Sequence, residues 1–442
     1  MRSLVVALVC LPALALAEAP RLSLAQVIAR AVAGPRARMA EGDRAAAAAR
    51  VDEADAARLP RLRATAFGTL SPDVNCLDDL CTQTDPKNFA LRFDGLFGGG
   101  QLDITQPLYT FGKIGHARAA ARAGMAAQRA LADETAGDLA LEAVRAYWGL
   151  KLARELGYML DDGIDEIGKA LGRMNGTGEG DRIEASIQDR QRIAVLLAEA
   201  KVQRADALMG ERQALAGLRA LVGVPDADID EDELVALEQA LPAAATGQRR
   251  PQAVAARAGA TAADELAAMA VSQYFPDLAL VASGVAAKAQ GVPDAPGMFA
   301  NDNFNRFGAG LVIAAQWTIE PWTTHARVAR ARAEASRAHA QADLAVIGAS
   351  YDAQLALADA TTARAKVEAA VEGDKAARAW LASVLQGEAI GATEPKELAD
   401  AYLAWFQMRA RWAQAVFQWN VAVVRLDRAA GEFRAGARRP KE

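Results

Sequence analysis

The chain is poor in the residues that metal centres and catalytic sites use. Its 442 residues include three cysteines and three histidines, and aromatic residues make up only 6%. An excess of one charge is also missing, because 50 basic residues are balanced by 55 acidic ones. No Ser/His/Asp set or carboxylate pair forms a catalytic constellation. We therefore expect no enzyme, no cofactor, no metal site and no nucleic-acid partner.

Long apolar runs are absent beyond the first residues. The N-terminus has an apolar run over 4–16 and an A-x-A motif at 15–17, which together predict a signal peptide over 1–17. Cys10 offers the alternative of a lipidated N-terminus, but the bulky Val9 before it argues against this. No later stretch approaches twenty apolar residues, so a membrane location would require a β-barrel.

Two cysteines remain after removal of the signal peptide, Cys76 and Cys81. An even pair in an exported chain predicts a disulfide that closes a small loop. A metal site is the alternative, but no further ligands lie nearby in the sequence.

Alanine and arginine fill long helical stretches, and the chain is an internal duplication. Segment 58–70 corresponds to 273–285, and "GQLDITQPLYTFGKIGHAR" corresponds to "GAGLVIAAQWTIEPWTTHAR". The second alignment places Gln106 against Gln316 and His116 against His325. An offset that stays near ~210 residues is what a tandem duplication predicts.

Each repeat is predicted to run helix, strand, loop, strand, long helix, helix. The predicted boundaries are a first repeat over 18–229, a linker over 230–247 with an acidic helical turn or two, a second repeat over 248–434 and a basic tail over 435–442. The first helix begins with a capping-box pair, Ser23 and Gln26, and its partner in the second repeat begins at Pro251.

Four strands are predicted, at 62–70, 101–108, 277–285 and 307–317. In the last of them, large apolar residues alternate with glycine, alanine and glutamine. Such alternation over about ten residues fits a strand that crosses a bilayer in a barrel. For any single strand, a half-buried strand of a soluble sandwich fits as well. Long Gly/Pro/Asp-rich loops connect the strands within each repeat, while the other strand ends run into helices.

The helices form the larger part of the chain. One is predicted from Lys113 to about Leu171, with a return helix over 181–221 after a glycine-rich turn. The second repeat has its turn at 385–397. Its return helix carries a seven-residue repeat, which predicts a seam against a partner helix, at Leu398, Trp405, Trp412, Trp419 and Leu426. An aromatic ladder for ligand stacking is the alternative.

In its duplicated strand-helix junctions and paired helical hairpins, the chain resembles the TolC-like outer-membrane channel family. The resemblance implies a mainly α fold with a membrane β part, a trimeric channel-tunnel with four barrel strands per protomer. Four strands cannot close a barrel alone, because the smallest membrane barrels have about eight. The implied function is an exit duct, located in the outer membrane and extending into the periplasm, for efflux or type I secretion. Its partners would be a periplasmic adaptor, an inner-membrane transporter and outer-membrane lipid.

The resemblance also assigns roles to particular residues. Pro107 and Gly112 would mark the first junction between strand and helix, and Pro321 would mark the second, which has no glycine partner. Candidates for a periplasmic gate are Asp181, Arg182, Glu397 and Asp400, for which ordinary surface charge is the alternative.

The matched histidines His116 and His325 are expected to be solvated or at an interface. A pH-sensitive ring in the trimer is the alternative.

A second class of function fits the long helices: a periplasmic coiled-coil adaptor or scaffold that never enters a membrane. Such a protein has no reason to carry four alternating strands joined by long polar loops. A metal-efflux component would have Met/His-rich loops, and only Met298 is found in the second one. The sequence does not identify the cargo.

Overall fold

The computed structural model describes residues 21–73, 92–177, 185–290, 304–389 and 394–432. The predicted signal peptide with Cys10, the Cys76–Cys81 pair, Asp181 and Arg182, Met298 and the basic tail lie outside the described residues. The elements are, in chain order, β1 (Arg21–Leu22), α1 (Leu24–Val32), α2 (Pro35–Ala56), β2 (Arg61–Asp73), β3 (Arg92–Tyr109), α3 (Lys113–Asn175), α4 (Ile187–Val222), β4 (Asp228–Ile229), α5 (Pro251–Ser272), β5 (Asp277–Ala289), β6 (Arg306–Gln316), α6 (Pro321–Ala389) and α7 (Pro395–Ala430).

The chain divides into two compact units. One, the helical unit, comprises Met1–Asp43, Arg129–Ala255 and Asp343–Glu442; the other, the sheet unit, comprises Arg44–Gln128 and Ala256–Ala342. No helix in the described ranges has an apolar stretch long enough to cross a membrane.

The sheet unit contains an antiparallel sheet in the order β2-β3-β5-β6. All four predicted strands are present, and β3 and β5 pair with each other, which joins the two repeats in one sheet. Strand β3 begins nine residues earlier than predicted, at Arg92. Glycines at 98, 99 and 100 removed the side-chain alternation that would have revealed this extension. Gly99 needs to be glycine, since a Cβ there would lie 2.6 Å from the carbonyl oxygen of Ala286.

All four strand-to-helix connections lie at one end of the sheet. Helices α2 and α5 lead into the starts of β2 and β5, and helices α3 and α6 follow the ends of β3 and β6. Because neighbouring strands are antiparallel, these starts and ends coincide. We call this the helix end and the opposite one the loop end.

The long helices form as predicted, with shifted bounds. Helix α3 spans 63 residues and helix α6 spans 69. Helix α4 begins at Ile187 rather than 181, where the Ser186 hydroxyl caps it by accepting a hydrogen bond from the Asp189 amide at 3.1 Å. It ends at Gly223, whose φ of +72° is the left-handed conformation common at helix ends.

The first helix has the predicted cap but is broken in two. The Ser23 hydroxyl accepts from the Gln26 amide, and the Gln26 side chain accepts from the Ser23 amide. Helix α1 stops at Val32, and α2 restarts at Pro35 after a glycine. Helix α5 begins at Pro251, as predicted.

The predicted acidic helical turn in the linker is wrong. Residues 230–247 contain no helix, and helix α7 instead bonds to backbone groups of Val235 and Leu237. Asn420, fully buried, accepts from the Leu237 amide at 2.8 Å and donates to the Val235 carbonyl at 2.9 Å. The Trp419 indole donates to the Leu237 carbonyl at 2.7 Å.

The predicted seam of α7 is buried within the helical unit. Leu398, Trp419 and Leu426 are nearly inaccessible, while Trp405 and Trp412 are partly buried against the same clusters. Small residues, Ala401, Ala415 and Ala422, lie between them, which is the large-against-small packing of a helix seam.

Candidate channel site

The strongest functional feature of the sheet unit is a sheet with two chemically different faces. Residues paired across strands share a face, so the register sorts the side chains. The apolar face holds Leu62, Ala64, Ala66, Gly68 and Leu70 of β2, Leu96, Gly98, Gly100, Leu102 and Ile104 of β3, Leu278, Leu280, Ala282, Gly284 and Ala286 of β5, and Phe307, Ala309, Leu311, Ile313 and Ala315 of β6. The first polar residues on it, Gln106 and Lys288, lie at its two ends.

The opposite face, the polar face, carries most of the hydrophilic side chains of the sheet. Arg63 lies directly across from Asp103, and the Gln101 amide donates to the Asp103 carboxylate at 3.0 Å. The remaining polar members are Arg61, Thr65, Thr69, Ser71, Thr105, Asp277, Ser283, Arg306 and Gln316. One wet and one apolar face on a single sheet is the arrangement that a membrane channel wall requires.

Pro107 lies where the ladder is irregular. Pairing between β2 and β3 reaches only as far as Thr105 at the helix end, so β3 continues past its first neighbour. On the other side, the register with β5 shifts between Pro107 and Tyr109. A residue without an amide hydrogen is tolerated at such a bulge, and the bulge bends the strand toward the following helix.

Two consecutive residues then adopt left-handed conformations. Phe111 has φ of +49° and Gly112 has φ of +91°. A Cβ on Gly112 would approach the His116 ring within 3.1 Å and the Ser272 hydroxyl within 3.4 Å. The sequence indicated the glycine, whereas nothing in it indicated the positive φ of Phe111.

The first junction is held against the connection between α5 and β5. Phe111 stacks on Phe275, with ring centroids 5.2 Å apart and planes at 11°. Lys113, the first residue of α3, donates to the Asp277 carboxylate at 2.8 Å and to the Phe275 carbonyl at 2.9 Å. We call this set of contacts the in-chain joint.

The second junction is built differently. Pro321 is the first residue of α6, where its missing amide hydrogen costs no helical bond. Four residues, Trp317 to Glu320, connect it to β6 without a residue in the left-handed conformation. The Trp317 indole donates to the Tyr274 carbonyl at 3.2 Å.

The two sequence-matched histidines have different surroundings. His116 Nδ1 lies 2.8 Å from the Glu265 carboxylate, whereas His325 is exposed. His339, which the sequence did not single out, lies 2.9 Å from Asp264, the neighbour of Glu265 on α5. Neither His116 nor His339 is hydrogen-bonded to another histidine. Within the described ranges, no three His, Cys, Asp or Glu side chains are grouped to hold a metal ion.

Two of the gate candidates lie within the described residues. Glu397 and Asp400 are exposed in the first turns of α7, and neither forms an ion pair with another described residue. Between them, Leu398 and Ala399 are buried in a cluster with residues of α3, α4 and α6. The structure therefore holds this helix start in place and leaves both carboxylates in solvent.

Buried charge networks in the helical unit were not visible in the sequence, because Arg250, Arg428 and Arg409 each pair with a carboxylate that is 116, 294 and 254 residues away, respectively. Arg250, 8% exposed, donates to Glu134 at 2.9 Å and to Asp352 at 2.7 Å, and Arg428 reaches the same Glu134 at 2.8 Å. Burial lowers the pKa of Arg250, but the hydrogen bonds to Glu134 and Asp352 outweigh it and raise the pKa above its ordinary value. Arg409 likewise bridges Glu155 and Asp374.

Comparisons with known proteins agree with this architecture. The model of the family described as outer membrane efflux protein matches residues 34–174 and 243–432. A search of curated protein sequences gives no match.

Several solved structures are similar over nearly the whole chain. The outer-membrane channel OprN is 21% identical with a TM-score of 0.73, covering 93% of this chain and 90% of its own. The Campylobacter jejuni outer membrane channel CmeC is 15% identical with a TM-score of 0.74, covering 93% and 86%. The Neisseria gonorrhoeae outer membrane channel MtrE, in an open state, is 19% identical with a TM-score of 0.74, covering 92% and 88%. At these identities the similarity shows the fold.

Proposed function

The chain belongs to the outer membrane efflux protein family, and we propose that three copies of it form one continuous duct. It is an exit duct for efflux, located in the outer membrane and extending into the periplasm. The fold is that of the TolC-like channels.

The observation that carries the trimer is the two-faced sheet with two open edges. Within the part of the chain that the structure describes, strands β2 and β6 each pair with a strand on one side only. Open strand edges are not tolerated in lipid, and the smallest membrane barrels have about eight strands. Three copies of the four-stranded sheet supply 3 × 4 strands, enough to close a barrel with the apolar face toward lipid and the polar face toward the lumen.

The duct is passive and has partners that supply the energy. A periplasmic adaptor and an inner-membrane transporter dock at the periplasmic end, and cargo enters there. The gate at this entrance comprises Asp181, Arg182, Glu397 and Asp400. Exposed carboxylates on three copies form a ring that favours cations, and arginines can hold such a ring closed.

The apolar face and the family match favour this function over a periplasmic adaptor. A scaffold that stays in water gains nothing from an exposed face of leucine, isoleucine and phenylalanine. Heat-stable trimers that stay in the outer-membrane fraction after high-salt washing are expected, and recovery as a soluble periplasmic protein would contradict the duct.

Single-channel conductance in a planar bilayer tests the duct and its gate together. Asp400→Asn is expected to reduce cation preference or raise conductance, since it removes one charge per copy from the entrance. Asp206→Asn is the matched control, because Asp206 is an equally exposed carboxylate on α4 with no ion pair among the described residues.

The possible outcomes separate the claims. If neither substitution alters the conductance, the protein still forms a duct, but Asp400 is not part of its gate. If the purified protein never forms channels, the duct itself is wrong.

A further inference from the structure

The contact between copies can be located on the chain. We propose that the connection between β6 and α6 of one copy docks on the connection between α2 and β2 of the next, with Ile319 against Leu59 and Glu320 against Arg61. We call this the copy-to-copy joint. It rests on the proposed trimer and specifies which residues hold it together.

Strand direction brings these two connections to the same place. In a cyclic assembly that crosses one membrane, all copies point the same way. Strand β6 of one copy then lies antiparallel to β2 of the next, because the two strands run in opposite directions within the sheet. The end of β6 at Gln316 therefore lies beside the start of β2 at Arg61, both at the helix end.

The in-chain joint is the template for this contact. There the end of β3 in the first repeat adjoins the start of β5 in the second, with Phe111 on Phe275 and Lys113 on Asp277. Because the chain is duplicated, we expect a corresponding contact between the end of β6 and the start of β2. Within one chain those two strands lie at opposite edges of the sheet, so only another copy can supply the contact.

Corresponding positions follow from the element bounds. Arg61 begins β2 as Asp277 begins β5, so Leu59 corresponds to Phe275. Counted back from the first residue of the following helix, Ile319 corresponds to Phe111. By the same count Glu320 corresponds to Gly112, and Pro321 takes the place of Lys113. The apolar pair therefore has matched positions, whereas the proposed ion pair has exchanged charges and places its acidic residue one position before the match of Lys113.

Within the described residues, the four side chains of the proposed joint are exposed or only weakly paired. Leu59 is 60% exposed and Ile319 is 68% exposed. Arg61 forms no ion pair or hydrogen bond through its side chain with any described residue. The Glu320 carboxylate has one ion pair among the described residues, a distant one with Arg327 at 4.0 Å.

A hollow beside Arg61 gives the joint room. It has a volume of about 510 Å³ and is lined by alanines of α2 and α3, among them Ala56, Ala117 and Ala121. Arg50 and Arg61 lie at its rim with one carboxylate, Glu53, so its charge is net positive and suits Glu320. Trp322, 84% exposed at the start of α6, is the large side chain available to fill it.

Charge exchange tests the ion pair directly. Trimer dissociation is measured for detergent-purified protein by light scattering across a dilution series. Arg61→Glu and Glu320→Arg are each expected to raise the concentration of half-dissociation on the order of tenfold, because the joint occurs three times per trimer. The double variant is expected to return to within about twofold of the wild type, as directly coupled residues do.

A matched control uses the arginine two residues further along β2. Arg63 also forms no side-chain hydrogen bond or ion pair with a described residue, but it lies deeper in the strand, opposite Asp103. Glu320→Arg combined with Arg63→Glu is expected to show no rescue. If Arg63→Glu rescues Glu320→Arg as well as Arg61→Glu does, the effect depends only on net charge, and the proposed joint is wrong.

Cysteine pairing tests the apolar contact without changing charge. With Cys76 and Cys81 replaced by serine, Leu59→Cys combined with Ile319→Cys is expected to give covalent trimers under mild oxidation. Leu70→Cys with Ile319→Cys is the control and stays uncrosslinked, because Leu70 lies at the loop end.

Failure of the joint and failure of the trimer give different results. A wild-type protein that is not trimeric overturns the proposed assembly, and the joint with it. A wild-type trimer that is insensitive to both charge reversals and yields no crosslink overturns the joint alone. In that case Ile319 and Trp322 contact lipid instead.

Discussion

At the scale of single residues, Gly112 determines how β3 turns into α3. Its φ of +91° is strained for any residue with a side chain, and His116 and Ser272 occupy the space a Cβ would need. Gly112→Ala is therefore expected to destabilise the protein by about 1–3 kcal/mol. The measurement is the shift in denaturant midpoint of the detergent-purified protein.

Gly115→Ala, three residues later, is the control for this prediction. Gly115 lies inside α3, and a Cβ added there would have no neighbouring side chain or backbone atom within 4 Å beyond its own helical turn. Alanine at this position should therefore be neutral or stabilising by up to about 1 kcal/mol. Equal effects of the two substitutions would mean that the conformation of Gly112 does not matter for the junction.

At the scale of elements, the extended linker depends on one asparagine of α7. Asn420→Leu keeps the branched shape of the side chain but leaves the Leu237 amide and the Val235 carbonyl without their partner. The loss of these two part-buried hydrogen bonds is expected to cost about 1–3 kcal/mol. Hydrogen exchange should show loss of protection at the Leu237 amide, a change specific to the linker.

Gln418→Leu provides the comparison for this substitution. Gln418 lies two residues earlier on the same helix and is exposed, so its replacement should leave the linker amide protected. Unchanged protection in Asn420→Leu would show that the linker holds its extended path without α7.

The element scale also shows which parts of the fold the sequence determines locally. The order of strands and long helices follows from side-chain periodicity, and the caps at Ser23 and Pro251 follow from short-range chemistry. The extension of β3 through its glycines, the extended linker and the Arg250 network depend on partners distant in sequence. No local pattern encodes such contacts, so periodicity alone could not reveal them.

The candidate site likewise has residues that the sequence reveals locally and contacts that only the folded sheet reveals. Pro107, Gly112 and Pro321 could be predicted because proline fixes φ and glycine permits positive φ wherever these residues occur. Lys113 with Asp277 and Phe111 with Phe275 were missed, because their spacing of more than 160 residues becomes meaningful only when β3 and β5 pair.

At the scale of the whole molecule, a sheet with one apolar and one polar face fits an efflux duct located in the outer membrane. A sheet with both faces in water would not concentrate leucine and isoleucine on one side. Neighbouring residues of β6 separate the alternatives, since Leu311 lies on the apolar face and Val312 on the polar face. Both are exposed in the single chain, at 67% and 56%.

This pair gives the last prediction. Leu311→Arg places a charge in lipid and is expected to cost about 2–4 kcal/mol of folding in the membrane, whereas Val312→Arg points into a water-filled lumen and should be tolerated. The measurement is the yield of heat-stable trimer in washed outer membranes. A protein whose sheet lies in water would accept both arginines equally, because both positions are open in the single chain. Equal tolerance would therefore contradict the assignment of the apolar face to lipid, and a loss with Val312→Arg alone would reverse the two faces.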